Sequence, residues 1–351
     1  MRIALINDRL NAGGAEKMLV YIANLLHKNG IDVQVIILLD KAALDHQIHP
    51  NIPVHYLNRT SRFSCKAFFG LKKLLQQVDI VHVHSRYNLR YYMVAKYFVN
   101  IAKPKIFFHE HVPSYSIDAF TKFLFSKVDA YVAVQNDMRK WAVTNKMVTN
   151  QHAFYLANTV DAPKNPIQYK NNQYKILMVG NYRPQKNHLF AVSLLAKLPN
   201  QYTIDIYGMI DDEVYYNNLQ NHIHTLGLTS RVALVQGISN LYEQMGNYSF
   251  ALHTSIAETG PLVLVEYLYA GLPFITYNTG DVVTIIKKQL PNFIVHSFNE
   301  AEWLKAIEQL QQKMPEHNFN NVMSEIVQEN FSEANYFIQL LHIYNKIMLS
   351  K

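Results

Sequence analysis

The sequence has a single cysteine, Cys65, and no long apolar run. One thiol cannot form a disulfide within the chain, so a reducing compartment is expected. No segment approaches the roughly 18 uninterrupted apolar residues of a membrane-spanning helix. The first apolar run ends at Asn7 and Asp8, which is too early for the core of a signal peptide. These absences predict a cytoplasmic protein.

Three motifs of familiar nucleotide and metal enzymes are also missing. The chain contains no G-x-G-x-x-G, no G-x-x-x-x-G-K-[ST] and no H-E-x-x-H. Their absence weakens the case for a typical dinucleotide enzyme, a P-loop ATPase or a zinc protease.

The length and periodicity favour two α/β domains. A chain of 351 residues with 49% hydrophobic residues is long for one core. Short apolar runs that suit parallel strands alternate with helix-length segments, the first of which ends near Gly30. The predicted strands are 2–7, 33–39, 79–85, 105–111 and 130–135, then 175–180, 203–208, 231–237, 250–255 and 273–278. The pattern predicts two Rossmann-like, doubly wound domains.

A connector separates the two patterns. Residues 157–173 are rich in proline and asparagine and show little periodicity. We therefore predict an N-terminal domain over 1–160, a C-terminal domain over 161–330 and a final helix over 331–351. That helix should bury an apolar stripe against one of the domains, the N-terminal one being a candidate. The predicted stripe comprises Phe337, Leu340, Leu341, Tyr344, Ile347 and Met348.

Positive charge is concentrated in the first half of the chain. Residues 1–165 carry 21 basic and 11 acidic side chains, whereas residues 166–351 carry 12 and 15. Residues 59–105 alone hold ten basic side chains and one acid, Asp79, with aromatic residues interleaved. Such a stretch suits an anionic membrane surface, nucleic acid, or solvated helix faces above core aromatics. We favour the first and third interpretations and expect no nucleic acid.

The stretch "ETGPLVLVE" brackets an apolar run with two acids, Glu258 and Glu266. It follows a predicted strand, and ligands of parallel sheets bind beyond the carboxyl ends of strands. Pro261 suits the first turn of a helix that ends at Gly271, and Gly260 permits close backbone approach. Both acids can then face one ligand. The alternative is a helix-end charge and an ordinary surface acid.

Two further loops follow predicted strands. In "VGNYRPQKNH", Arg183 and Lys186 form a pair of cations suited to a diphosphate. In "NAGGAEK", Gly13 and Gly14 precede a helix and permit close approach of a phosphate or sugar. Each signal is weak alone, because lysines in turns are usually solvated and a Gly-Gly pair is usually a turn.

Histidines occur in three pairs. His82 with His84, and His109 with His111, share faces of predicted strands and offer metal ligands. No cysteine joins them, so we expect no metal and interpret His109 as a hydrogen-bond donor to a ligand or a half-buried histidine. The pair at 222 and 224 lies on a predicted helix, where residues two apart face different directions.

Taken in order, these segments resemble glycosyltransferase family 4, retaining enzymes of the two-domain GT-B fold. The resemblance covers the whole chain through "GGAEKML", "DIVHVHS", "FFHEH", "VGNYRPQKNH" and "ETGPLVLVEYLYAGLPFI". The last segment has the family's two glutamates separated by seven residues and is the most specific. The resemblance implies two domains facing a cleft, with a nucleotide-diphosphate sugar held by the second.

The resemblance also implies roles for the catalytic residues. Arg183 and Lys186 would hold the donor's diphosphate and neutralise the leaving group in place of a metal. Glu258 would contact the donor sugar, and His109 would touch it from the first domain.

Other residues would complete the donor site. Glu266 would bind the ribose hydroxyls, and the backbone at Gly260, Pro261 and Leu262 would help to bind phosphate. Gly13 and Gly14 would border the donor phosphates and the acceptor.

Departures from the family pattern concern three positions. Asp281 follows Gly280 where a second glycine is usual, Thr284 stands where the family often has a glutamate, and Thr159 replaces a glycine near the connector. Because of these departures, the resemblance does not specify the donor sugar or the acceptor contacts.

We therefore expect a retaining, metal-independent hexosyltransferase that uses a nucleotide-diphosphate sugar, UDP-linked in the favoured case, without a bound cofactor. Its acceptor would be a surface glycan, a teichoic acid or a lipid-linked oligosaccharide. Residues 59–105 would give peripheral contact with the inner membrane face. Two alternatives stay open: a nucleotide-sugar epimerase or hydrolase on the same fold, and a non-catalytic subunit that binds glycan or membrane.

Overall fold

The computed structural model describes residues 1–11, 13–112, 118–165, 167, 174–237, 241–313 and 319–349. They form two compact units, unit 1 (Met1–Val160 with Glu333–Lys351) and unit 2 (Asp161–Ser332). Part of the predicted connector, at 166 and 168–173, lies outside the described residues.

Unit 1 contains a seven-stranded parallel sheet. Its strands are β1 (Arg2–Asn7), β2 (Asp32–Ile37), β3 (Val54–Tyr56), β4 (Ile80–His84), β5 (Lys105–Glu110), β6 (Ala130–Ala133) and β7 (Ala153–Tyr155). Their order is β3-β2-β1-β4-β5-β6-β7, so the direction of strand addition reverses between β1 and β4. β4 is buried along its whole length, as expected of a parallel strand with helices on both faces.

Helices cover both faces of this sheet. They are α1 (Gly14–Lys28), α2 (Cys65–Leu74), α3 (Arg86–Phe98), α4 (Ala119–Phe125) and α5 (Asn136–Thr144). Gly30, with φ +73°, lies just beyond α1, and its N–H donates to the carbonyl of His27 at 3.0 Å. This left-handed cap confirms that Gly30 ends the first helix.

The C-terminal helix, α13 (Glu333–Leu349), packs on unit 1. Its buried stripe consists of Tyr336, Leu340, Ile343, Tyr344 and Ile347. The predicted stripe was wrong at Phe337, Leu341 and Met348, which are half-buried or exposed. The buried face is rotated by about one residue because the aromatic rings of Tyr336 and Tyr344 dock inward: Tyr336 packs against Tyr21, and Tyr344 against Phe107.

Unit 2 repeats the architecture with six parallel strands. They are β8 (Lys175–Val179), β9 (Thr203–Tyr207), β10 (Val232–Val235), β11 (Phe250–His253), β12 (Phe274–Tyr277) and β13 (Ile294–Val295). Their order, β10-β9-β8-β11-β12-β13, reverses between β8 and β11. The prediction of two Rossmann-like, doubly wound units is confirmed.

Seven helices accompany this sheet in the described residues. They are α6 (His188–Lys197), α7 (Glu213–Thr225), α8 (Leu241–Met245), α9 (Leu262–Ala270), α10 (Asp281–Ile286), α11 (Glu300–Lys313) and α12 (Phe319–Ile326). Across the described part of both units, no helix has the length and apolar character needed to cross a bilayer.

Candidate active site

The carboxyl ends of β8 and β11 carry the strongest concentration of predicted site residues. These neighbouring strands flank the point in unit 2 where the sheet order reverses. In sheets of this kind, ligands usually bind beyond the carboxyl ends of the strands at such a reversal. Lys186 follows β8, and Glu258 follows β11.

The loop after β8 is shaped to present Lys186. It contains a single 3₁₀ turn, Pro184–Lys186, followed by Asn187 in the left-handed conformation at φ 55°. The Thr254 hydroxyl lies 3.0 Å from the carbonyl oxygens of both Lys186 and Asn187. The N–H of Ile256 donates to the Gln185 carbonyl at 2.9 Å. Backbone contacts thus fix the two loops to each other.

Lys186 and Glu258 form a shielded ion pair. The Lys186 Nζ lies 2.6 Å from Glu258 Oε1, and the two side chains are only 14% and 11% exposed. Burial alone would raise the pKa of Glu258, but the Lys186 ammonium and hydrogen bonds from Lys186 and Ser255 lower it below its usual 4.5. Glu258 is therefore an anion at neutral pH, held by one cation.

A second loop positions Glu258 from the other side. The Glu258 N–H donates to Thr279 Oγ1 at 3.0 Å, and the Asp281 N–H donates to the Thr259 carbonyl at 2.7 Å. Gly280 has φ 82°, and a Cβ on it would lie 2.8 Å from Pro261 Cδ. Only glycine allows this close packing.

The helix after Glu258 is close to the predicted one. Its first residue is Leu262, with Pro261 as N-cap, and Gly271 at φ 68° ends it. Glu266 lies on the half-buried face that includes Leu262 and Tyr269, whereas the rest of α9 is buried. Leu262 and Glu266 are four residues apart, so they share one side of the helix.

The Arg183 side chain lies beside Asp211. Its Nη1 lies 3.9 Å from Asp211 Oδ2, and both side chains are about two-fifths exposed (42% and 38%). The structure therefore brings Lys186 and Glu258 together and leaves Arg183 beside Asp211 on the same sheet edge.

Two buried histidines lie near the ion pair, and neither was assigned a role from its sequence position. His253, the last residue of β11, lies with Nε2 3.9 Å from Glu258 Oε1. His188, the first residue of α6, lies with Nε2 3.1 Å from the Gly180 carbonyl oxygen. Burial lowers the pKa of each to about 4, so both are neutral. The signal that could have found them is a histidine next to a strand end that carries site residues.

In unit 1, Gly13 is the N-cap of α1 and Gly14 its first residue. The Glu16 carboxylate folds back over Gly13, since a Cβ there would lie 2.3 Å from Glu16 Oε2. Burial raises the pKa of Glu16, against a backbone hydrogen bond that lowers it. A carboxyl group, and not open space, therefore borders Gly13.

The paired histidines of β4 and β5 form one cluster. Ring nitrogens of His82, His84 and His109 lie within 4.8 Å of one another. His82 Nε2 is 3.2 Å from His109 Nδ1, its Nδ1 is 2.7 Å from Tyr344 Oη, and His84 Nδ1 is 2.9 Å from His111 Nε2.

All four rings of this cluster are buried, and burial lowers their pKa values, that of His111 to about 3. They are neutral at pH 7. Neutral imidazoles suit either a hydrogen-bonded core or a metal, so the absence of a metal stays a prediction. The contact of His109 with a donor sugar also stays a prediction, because its ring is fully buried.

The positions that depart from the family pattern differ in exposure. Asp281 opens α10 and is 8% exposed, whereas Thr284 is exposed on the same helix. Thr159 is 1% exposed at the end of unit 1. The histidines of α7 do not pair with each other: His222 Nε2 lies 3.0 Å from Ser193 Oγ.

Two family models match the chain. One, described as Glycosyltransferase Family 4, matches residues 12–163, and the other, described as Glycosyl transferases group 1, matches residues 161–327. A protein of Haemophilus influenzae that is named an uncharacterized glycosyltransferase is 24% identical over 318 residues, which cover 86% of this chain and 87% of that protein.

Solved structures share the fold. HepE from Anabaena, in complex with UDP, superposes with a TM-score of 0.81 at 16% identity over 98% of this chain and all of that one. The lipopolysaccharide outer core galactosyltransferase WaaB gives a TM-score of 0.74 at 16% identity, over 98% and 99%. The α/β fold is that of these GT-B glycosyltransferases. With both halves matched in chain order, the chain belongs to the family 4, group 1 glycosyltransferases.

Proposed function

We propose that this chain is a retaining glycosyltransferase that moves a hexose-type sugar from a nucleotide diphosphate, UDP in the favoured case, to a hydroxyl of a cell-surface glycan, teichoic acid or lipid-linked acceptor. The observation that carries the proposal is the Lys186–Glu258 pair at the strand-order reversal of unit 2. A fixed cation and a fixed anion suit the two ends of an activated sugar, its diphosphate and its hydroxyls.

Lys186 serves the leaving group in this proposal. As the bond between the sugar C1 and the diphosphate oxygen breaks, negative charge accumulates on the diphosphate. A preorganised ammonium that is 14% exposed stabilises that charge more in the transition state than in the ground state. Arg183 can join it by turning from Asp211, since that pair is exposed and weak. Two cations would then do the work that a divalent metal does in other transferases.

Glu258 and Glu266 serve the hydroxyl groups. The Glu258 carboxylate accepts hydrogen bonds from the donor sugar once Lys186 turns to the diphosphate. Glu266, in the middle of α9, would bind the ribose, and the backbone at Gly260, Pro261 and Leu262, around the start of that helix, would approach a phosphate.

The anomeric configuration is retained because the acceptor attacks C1 from the same face that the diphosphate leaves. The acceptor oxygen bonds to C1 as the C1–diphosphate bond breaks through an oxocarbenium-like state. The acceptor's proton passes to a diphosphate oxygen, so atoms and charge balance without a covalent enzyme intermediate.

The substrates are proposed from similar proteins. HepE was solved with UDP, and WaaB acts in the lipopolysaccharide outer core. In unit 1, the carboxyl of Glu16 over Gly13 suits a hydroxyl better than a phosphate. We therefore propose that the Gly13–Gly14 loop binds sugar hydroxyls of the acceptor or donor. His109, on β5 of the same sheet, would help to form this part of the site.

We further propose contact with an anionic membrane through part of residues 59–105. The buried Arg59 is committed to Asp8, at 3.1 Å, and its guanidinium stacks on Tyr91. The part of residues 59–105 that is open to solvent is the exposed face of α2 and the turn before it, where basic and aromatic side chains alternate. This α2 face comprises Arg62, Phe63, Lys66, Phe69 and Lys73.

The test of the transferase proposal is a panel of UDP-, GDP- and ADP-sugars, read first by thermal shift and then by release of the nucleotide with glycan acceptors. We expect one UDP-sugar to stabilise the protein and to be consumed only with an acceptor. Lys186→Ala should lower turnover by about 100-fold or more, the scale of losing one transition-state electrostatic contact. Lys197→Ala, an exposed lysine paired with Glu300, is the matched control. Equal turnover of the two variants would refute the role of Lys186.

A further inference from the structure

His253 has an unusual position beside the ion pair. Its side chain is 2% exposed, with Nδ1 2.9 Å from Thr276 Oγ1 and Nε2 3.9 Å from Glu258 Oε1. It lies on β11, and Thr276 lies on the neighbouring strand β12.

The hydrogen bonds around Thr276 fix the tautomer of His253. The Thr276 hydroxyl donates its one hydrogen to the Tyr277 carbonyl at 3.0 Å. With that hydrogen used, the hydroxyl accepts from the ring, and this hydrogen-bond pattern assigns the proton to Nδ1 and a lone pair to Nε2. Within the described residues, Nε2 is buried and has no hydrogen-bond partner.

A buried Nε2 acceptor without a donor lowers the stability of the fold. A buried acceptor without a donor loses about 1–3 kcal/mol of hydration. The nearest charged atom, a carboxylate oxygen, offers it no hydrogen. Two charged groups act on the ring: Glu258, which favours protonation, and Lys186, which opposes it. Thr276, across from them, carries no charge, and burial keeps the neutral form in the resting pair.

Binding of a diphosphate would change that balance. This step rests on the proposed contact between Lys186 and the donor. If the ammonium turns to the diphosphate, Glu258 becomes a buried carboxylate without its cation, which is strongly unfavourable. His253 Nε2 is the group placed to replace it.

We propose that His253 takes up one proton from solvent when the donor's diphosphate draws Lys186 away, and that the imidazolium then donates from Nε2 to Glu258. Nδ1–H keeps its bond to Thr276, no covalent bond is made or broken, and charge at Glu258 is balanced. His253 is thus a positioning residue, which holds the carboxylate toward the sugar while the lysine serves the leaving group.

The experiment is titration calorimetry with UDP at pH 6.5 in buffers of different ionisation enthalpy. The slope of observed enthalpy against buffer enthalpy counts protons exchanged. His253→Gln is the test variant, because its amide can still donate to Glu258 but cannot take up a proton. His188→Gln is the matched control, since His188 is also buried near Lys186 but bonds the Gly180 carbonyl. Thermal melts confirm that each variant folds.

We expect the wild-type protein and His188→Gln to take up between half a proton and one proton more than His253→Gln. The UDP affinity of the wild-type protein should also fall more steeply from pH 6 to 8 than that of His253→Gln. Equal buffer slopes in all three proteins would overturn this inference and leave the proposed function standing. Failure of the wild-type protein to bind UDP would overturn both.

Discussion

Gly180 and Lys186 are in contact across the loop that follows β8: a Cβ added to Gly180 would lie 3.1 Å from Lys186 Cδ and 3.2 Å from its Cγ. The aliphatic part of the lysine therefore rests on the glycine, and this contact directs the ammonium toward Glu258.

Gly180→Ala should consequently displace Lys186 without removing its charge. We expect a several-fold weaker affinity for UDP and a smaller loss of turnover than in Lys186→Ala, because the flexible side chain can give way. Calorimetry with UDP measures the first effect. Gly70→Ala, whose Cβ would contact only Leu57 in unit 1, is the control. Unchanged UDP affinity in Gly180→Ala would contradict the placement of Lys186.

The ion pair should couple function to stability. Lys186→Met leaves the buried Glu258 carboxylate without its lysine and should destabilise unit 2 by up to about 3 kcal/mol, since protonation of His253 offsets part of the loss. The double variant Lys186→Met with Glu258→Gln removes both charges and should recover most of that loss. Chemical denaturation, monitored by a spectroscopic signal from unit 2, measures the free energies of unfolding for this double-mutant cycle. Additive effects of the two changes would show that the pair does not form in solution.

Acid should destabilise unit 1 through its histidine cluster. Burial lowers the pKa values of His82, His84, His109 and His111 below the value of about 6.5 expected in the unfolded chain. The unfolded chain then binds more protons, so the stability from these neutral rings is complete above pH 6.5 and falls as the pH drops below it. Each proton contributes about 1.4 kcal/mol per pH unit.

Denaturation of unit 1 at pH 7.5, 6.5 and 5.5 measures this slope. His111→Gln should make it shallower by about one proton. A flat profile over this range would show that the rings are not buried in the neutral form.

Transfer should not depend on a divalent metal. Turnover in EDTA should match turnover with Mg²⁺ or Mn²⁺, since Arg183 and Lys186 supply the positive charge. The purified protein should also contain well under one equivalent of zinc, measured by mass spectrometry of the metals. Stoichiometric zinc that is lost in His84→Gln would instead assign a metal to His82, His84 and His109.

The α2 face should bind anionic vesicles in a salt-dependent way. Lys66→Glu with Lys73→Glu should abolish flotation with phosphatidylglycerol vesicles at low salt, and Phe69→Ala should weaken it. Lys140→Glu with Lys146→Glu, two exposed lysines in and just after α5, is the charge-matched control. If the Lys66→Glu with Lys73→Glu variant floats with the vesicles as well as the wild-type protein does, the proposed membrane contact is wrong.

Sequence reasoning located most of the fold, because apolar parallel strands and their spacing are local signals. It missed β3, β7 and β13, which are two or three residues long and take their register from neighbouring strands. It also treated the aromatics of 59–105 as one set, although Phe68, Tyr91 and Tyr92 are core residues and Phe63 and Phe69 are exposed.

The site was predictable in part for the same reason. Lys186 and Glu258 each follow a strand, so their types and positions are visible in the sequence. Their pairing, the orientation of Arg183 toward Asp211 and the tautomer of His253 depend on contacts between residues 20 or more positions apart. No local pattern encodes such contacts.

The docking of α13 has a consequence for biosynthesis. Tyr344 Oη in α13 lies 2.7 Å from His82 Nδ1, so the part of the unit 1 sheet beneath α13 is covered only after unit 2 has been translated. Until then, the apolar surface that α13 buries, which includes Phe107, lacks its cover in the newly made part of unit 1. Deletion of α13 should therefore destabilise unit 1, although most of that unit is translated first.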